Sequence, residues 1–251
     1  MELRWLSDPN RRRRQWRSGR ATTLGTPHPR RQALAPVLRW PPARFPVEHD
    51  IDQNLQHILN LMQRAAAAGA NVAHFPECAL SGYGPASWPD WENFSWFAVD
   101  AAIEAVRNQA HESGIWVVIG SVHRVSSQSR PTNSLLVLDR QDEIAGRYDK
   151  RRCSVNDLRA FAPGDRQLTV DIEGVRCGFL ICLDWAFPEL WQAYAGDVEL
   201  VFHSCVSDNV QRDLIEAHAI QPCCGAMPGS INMRSVAPTP VVRARTFRAS
   251  G

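Results

Sequence analysis

Apolar residues recur at helical spacing early in the chain: Leu55, Ile58, Leu59, Met62 and Ala66. This period predicts an amphipathic helix. Asp50 or Asp52 can cap its start, and Gly69 stands where a left-handed residue closes a helix. Residues 71–76 then predict a short strand with Glu77 at its end, followed by a loop marked by Gly82, Gly84 and Pro85. A second helix is predicted over 95–113, with Phe97, Ala101, Ala105 and Val106 on its apolar face and Gly114 closing it. Residues 115–119 read as a buried strand. Two hairpins follow, 133–138 with 143–148 and 168–172 with 175–181, the second turning through Glu173-Gly174. A helix over 187–195, a strand over 198–203 and a helix over 210–220 complete the pattern.

The ends are less regular. Residues 34–40 predict a first strand weakened by Pro36, Pro41 and Pro42. Residues 221–251 show no periodicity. There is no internal repeat. Helix–strand alternation mixed with hairpins predicts an α/β domain with a mixed sheet.

Charge divides the chain unevenly. Residues 1–31 hold nine Arg and two acids, whereas residues 32–251 carry a net charge of −5. The tail reads as a solvated, disordered extension, with a nucleic-acid arm or an Arg-rich transit peptide as the alternatives, and the mildly acidic body offers no basic face for nucleic acid. No apolar run reaches the roughly 20 residues of a membrane helix, and residues 1–31 lack the apolar segment of a secretory signal. The expectation is a cytoplasmic protein. The odd count of seven Cys in a chain of 251 residues argues against a disulfide framework. Cys223-Cys224, near His218, lacks the spacing of metal ligands. One count changes the picture: the chain has 27 Arg and a single Lys, Lys150.

Lys150 lies just past a predicted strand, as Glu77 does. The third such position is Cys182, where the run Val175-Arg-Cys-Gly-Phe-Leu-Ile ends and Pro188 opens a helix. A free Cys is usually a small buried hydrophobe. A thiol, a carboxylate and an amine at one sheet rim would instead form a hydrolytic site. The thiolate attacks a carbonyl carbon, the carboxylate moves protons, and the ammonium with the Leu183 N–H steadies the oxyanion. Such a site needs neither His nor metal.

Three segments carry a resemblance: His74-Phe-Pro-Glu77-Cys-Ala-Leu-Ser-Gly-Tyr83, then Gly146-Arg-Tyr-Asp-Lys150-Arg, then Cys182-Leu-Asp184-Trp-Ala-Phe-Pro-Glu189. In order and spacing they resemble the nitrilase, or carbon–nitrogen hydrolase, superfamily, across residues 50–203. The resemblance implies a four-layer α-β-β-α sandwich, a catalytic triad of Glu77, Lys150 and Cys182, no cofactor or metal, and homo-oligomers formed through nucleophile-side helices. Leu183-Asp184 after the cysteine, rather than Trp-Glu, resembles the amidase and carbamoylase branches. The implied partner is therefore a small amide or carbamoyl compound, with no nucleic acid or membrane. Asp157 occupies roughly the place of a second carboxylate, one methylene shorter than the usual Glu. Substrate contacts are assigned to Leu183, Trp185 and Asp157, and Asp184 is expected to orient the turn. The expected domain spans 32–220, between a tail of 1–31 and an irregular segment of 221–251 that leaves the sandwich incomplete. Those ends carry the alternative reading: a truncated, inactive family remnant acting by binding or oligomerisation.

Overall fold

The computed structural model describes residues 37–39, 46–83, 91–126 and 130–206, and the backbone of two further strands, Ile215–Ile220 and Val241–Arg243. All lie within the unit Ala35–Gly251. The Arg-rich tail and Cys223-Cys224 fall outside the described residues.

Helix α1 spans Ile51–Ala67 and α2 spans Trp96–Ser113. Both begin at side-chain caps: Asp50 Oδ1 accepts the N–H of Asp52 and Gln53, and Ser95 Oγ accepts that of Ala98. Both stop at a glycine with positive φ, Gly69 at +77° and Gly114 at +63°.

The first sheet has the order β2-β3-β4-β5, comprising Val72–His74, Trp116–His123, Thr132–Leu138 and Ile144–Asp149. The pair β2–β3 is parallel and the others are antiparallel. The second sheet has the order β6-β7-β8-β9, comprising Thr169–Ile172, Val175–Ile181, Leu200–Val206 and Ile215–Ile220. Its central pair, β7–β8, is parallel. Both hairpins predicted from the sequence are present.

Alternation along the strands decides the layers. Ala73, Val117, Ile119, Leu136 and Leu138 pack with α1 and α2, whereas Val72, Val118, Leu135 and Val137 pack with Cys177, Phe179, Ile181 and Phe202 of the second sheet. Strand β4 is therefore buried on both faces. Beyond the second sheet lies α4, Pro188–Tyr194, following a short α3, Asp157–Ala160, earlier in the chain. Gly178 leaves room for the Tyr194 ring, which a Cβ would meet at 2.7 Å. The order is α-β-β-α, as expected. Among the described residues no helix is long and apolar enough to cross a membrane.

Two expectations change, and one weakly marked strand forms. Of the expected helix over 210–220, residues 210–214 lie outside the described residues and residues 215–220 form strand β9 instead, paired antiparallel with β8 from Val201↔Ile220 to Val206↔Ile215. Without it the far edge of β8 would leave its backbone groups unpaired, and this tertiary demand overrides local helix propensity. The segment expected to be irregular contains β10, Val241–Arg243, and the weakened first strand forms as β1, Val37–Arg39. The two pair antiparallel as a separate sheet. Three-residue strands are too short to register as periodicity.

Candidate active site

Glu77 enters a turn three residues after β2. That turn lies along β3: Phe75 N–H donates to the Val118 carbonyl and Leu80 N–H to that of Gly120. Gly120 is required there, since a Cβ would stand 2.2 Å from the Pro76 carbonyl oxygen. Lys150 is the first residue past β5. Its N–H donates to the Asn133 carbonyl and its carbonyl accepts from Gly164, each at 2.8 Å. Cys182 opens a 3-10 turn, Cys182–Ala186, immediately after β7. Its φ is +44°. For a residue with a Cβ this left-handed conformation costs roughly 1–3 kcal/mol. Strain of that kind persists where the surrounding structure imposes it.

The side chains converge. Lys150 Nζ donates to Glu77 Oε1 and to Asp157 Oδ2, both at 2.8 Å. All three side chains are at most 1% exposed. Glu77 Oε1 also accepts from Asn133 Nδ2 at 2.7 Å. Asp157 accepts from the Tyr83 hydroxyl at 2.7 Å and the Ser154 N–H at 2.8 Å. Cys182 is half-buried, and its thiol lies within the field of Glu77 and Lys150.

The electrostatics follow from this packing. Burial, then the Glu77 carboxylate, pushes the Cys182 thiol up to about 12, against the lowering pull of Lys150. Burial opposes the charge on Lys150. Glu77, Cys182 and Asp157 outweigh it and hold the ammonium protonated well above the ordinary lysine value. Burial also opposes the charge on Asp157, but Lys150 and the bonds from Lys150, Tyr83 and Ser154 hold its carboxyl below the usual carboxylate value.

Asp184 does not join the cluster. Its Oδ2 accepts from the Ile181 N–H at 3.0 Å and the Tyr148 hydroxyl at 2.8 Å, and its Oδ1 accepts from the Arg152 N–H at 2.7 Å. It ties the Cys182 turn to both flanks of Lys150. Leu183 is half-buried beside Cys182. Trp185, also assigned to substrate, is carried outward by the turn: it is 54% exposed, and its carbonyl accepts from Trp191 Nε1. Trp91 packs against Phe94, Trp96 and Phe161. Among the described residues no group of three or more His, Cys, Asp or Glu is arranged to hold a metal ion.

Asn133, Tyr83, Tyr148 and Gly120 received no role from the sequence. Tyr83 and Tyr148 nevertheless stand inside the segments that bear Glu77 and Lys150, and Asn133 is an amide near the start of the apolar run Thr132–Leu138.

The carbon–nitrogen hydrolase family model matches residues 36–224. The omega-amidase NIT2 of Mus musculus is 29% identical over 150 residues, covering 57% of this chain and 53% of that protein. The deaminated glutathione amidase of Yersinia enterocolitica is 28% identical over 139 residues, covering 48% and 49%. An aliphatic nitrilase of Sinorhizobium fredii (strain HH103) is 30% identical over 169 residues, covering 60% and 54%. The chain thus spans about half the length of the curated relatives it matches. Among solved structures, an amidase of the nitrilase superfamily from Nesterenkonia AN1 aligns with a TM-score of 0.62 at 20% identity, over 75% of this chain and 84% of that one. Because the family match runs through both sheets and through all three strand ends that carry the buried cluster, the chain belongs to the carbon–nitrogen hydrolase family.

Proposed function

We propose that this chain hydrolyses a small linear amide or carbamoyl compound through an acyl-enzyme on Cys182. One observation carries the reading: Lys150 is buried between Glu77 and Asp157, and the Cys182 thiol lies within the field of the same Glu77 and Lys150. A catalytically silent remnant would gain little from this cluster, since buried charges lose their hydration and rarely repay it in stability.

At neutral pH the high thiol pKa keeps Cys182 protonated, with the Glu77 carboxylate nearby. Glu77 takes that proton as sulfur bonds to the amide carbon. The carbonyl oxygen becomes an oxyanion, held by the Leu183 N–H and by Lys150. Two of the three Lys150 protons go to Glu77 and Asp157, and the third is assigned to the oxyanion. As the C–N bond breaks, Glu77 returns the proton to the departing nitrogen, leaving a thioester. Glu77 then deprotonates a water that attacks the thioester carbon. The acid leaves and the thiol regains its proton. Asp157 and Tyr83 hold Lys150 charged and in place.

The amide preference rests on Leu183-Asp184 after the nucleophile and on the amidases among the relatives. In the Nesterenkonia amidase, a Glu-to-Gln variant shows covalent addition of the acetamide moiety of fluoroacetamide at its active-site cysteine. The test offers short-chain primary amides, N-carbamoyl compounds and matching nitriles, and reads ammonia release together with the mass of the intact protein. Turnover of amides, with an acyl adduct on Cys182, is the expected result. No turnover and no adduct on any of them would overturn the reading.

A further inference from the structure

Glu77 and Lys150 extend from one sheet and Cys182 from the other, so the reacting distance depends on how the two sheets are registered at their rims. Two polar side chains meet there inside an otherwise apolar interface. His74 is 1% exposed and Ser204 is fully buried. Ser204 Oγ donates to the Phe75 carbonyl at 3.0 Å and lies 2.7 Å from His74 Nε2. One hydroxyl proton cannot serve both partners. With the hydroxyl donating to Phe75, the Nε2–H of His74 is the donor to Ser204.

The sequence neighbours give this chain of bonds its meaning. Phe75 lies two residues before Glu77. Ser204 pairs with Ile181, the residue before Cys182. Its neighbour His203 places Nε2 3.0 Å from the Cys182 carbonyl, which accepts. Consecutive residues of β8 face opposite sides of the sheet, so one strand end grips the base-bearing segment with Ser204 and the nucleophile's own carbonyl with His203. The rings of Phe179 and Phe202 stack beneath, and His74 meets Phe202 edge-on. An apolar pair would fill that space without the cost of burying polar groups. A hydrogen bond adds a fixed direction and length.

We infer that Ser204, supported by His74, is a positioning residue that sets the separation of the Glu77 carboxylate and the Cys182 thiol. It touches neither substrate nor reacting atoms, and the inference rests on the thiol hydrolase reading above. The test uses the full chain with Ser204→Ala, Ser204→Thr, His74→Phe, His74→Gln and, as a control for lost stability, Ile58→Val in the α1 core. kcat and KM are measured separately on an amide that the wild type hydrolyses, per Cys182 thiol titrated. Ser204→Ala and His74→Phe are expected to lose about tenfold to a hundredfold in kcat with KM nearly unchanged, as small misplacements of reacting groups do. Ser204→Thr and His74→Gln keep a donor and restore most of the rate; if the threonine does not fold, the glutamine carries this arm. Ile58→Val loses stability with kcat per thiol unchanged. A Ser204→Ala protein with wild-type kcat overturns the inference and leaves the hydrolase reading standing. If the wild type hydrolyses nothing, that reading fails instead. The rate of Cys182 alkylation by iodoacetamide then decides: it should rise in Ser204→Ala as the carboxylate that disfavours the thiolate moves away, and an unchanged rate overturns the inference.

Discussion

The buried hydroxyl of Tyr148 donates to the Asp184 carboxylate at 2.8 Å, joining the strand that leads to Lys150 with the turn that bears Cys182. Burial raises the Asp184 carboxyl above its ordinary value, against the bonds from Ile181, Tyr148 and Arg152 that favour its charged form. Tyr148→Phe removes one of those bonds and leaves a buried carboxylate under-satisfied. The expected cost is about 1–3 kcal/mol of stability, with kcat falling because the turn loses its tie to the Lys150 strand. Denaturant unfolding alongside kinetics checks this; a variant as stable as wild type would show that the bond contributes nothing.

Glu77 raises the Cys182 pKa and Lys150 lowers it. Glu77→Gln removes the raising charge and keeps the lowering one. The variant should therefore hold more thiolate at a given pH than wild type while losing turnover, because no base remains for the later water. Thiolate absorbance across an alkaline titration, with Cys182→Ala as blank, reads the shift. A thiol that titrates unchanged would mean the carboxylate does not act on the sulfur.

Lys150→Arg should not substitute. The slot is 1% exposed and shaped for a compact ammonium between two carboxylates, whereas a guanidinium is planar and larger. The loss in kcat should be roughly 10²-fold or more, as for removal of one oxyanion donor. Near wild-type turnover in a folded Lys150→Arg protein would exclude the proposed role.

Asp157 has a folded pKa below its ordinary value. The stability it contributes is present above the unfolded value, about 3.9, and is lost as pH falls through the lower folded value. Asp157→Asn removes that contribution. The stability gap between wild type and variant should therefore close as pH falls from about 5 to about 2. Urea unfolding at a series of acidic pH values tests it, and a gap that stays constant would contradict the assigned ion pair.

Gly120→Ala places a Cβ 2.2 Å from the Pro76 carbonyl oxygen and 2.5 Å from the Cys78 nitrogen. Backbone cannot swing aside as a flexible side chain can. The turn bearing Glu77 must lift, at a cost of roughly 1–3 kcal/mol or more, and kcat should fall with it. Gly114→Ala is the comparison: it has open space around the Cβ but a φ of +63°, so it should lose stability and keep kcat.

Much of the fold was legible because local pattern and tertiary demand agree there. Asp50, Gly69, Ser95 and Gly114 mark the helix ends, and alternation marks both hairpins. Agreement failed at Ile215–Ile220, where the open edge of β8 recruited a strand from a segment read as helix. It failed again at the short pair Val37–Arg39 and Val241–Arg243, whose pairing is a contact between distant ends of the chain. Trp185, assigned to the substrate, is 54% exposed in the 3-10 turn that follows Cys182.

Sequence alone singled out the groups proposed to react, because Cys182 and the lone Lys150 directly follow strands, Glu77 stands three residues beyond one, and chemistry constrains what such groups do together. The tertiary structure alone decided which other groups hold them. Asn133, Tyr83, Tyr148 and Ser204 matter through bonds spanning 36 to 130 positions, such as Ser204 to Phe75 and Tyr148 to Asp184. Periodicity reports only the face a residue presents to its own helix or strand. A hydrogen bond between two sheets depends on how those sheets pack, which no single segment encodes.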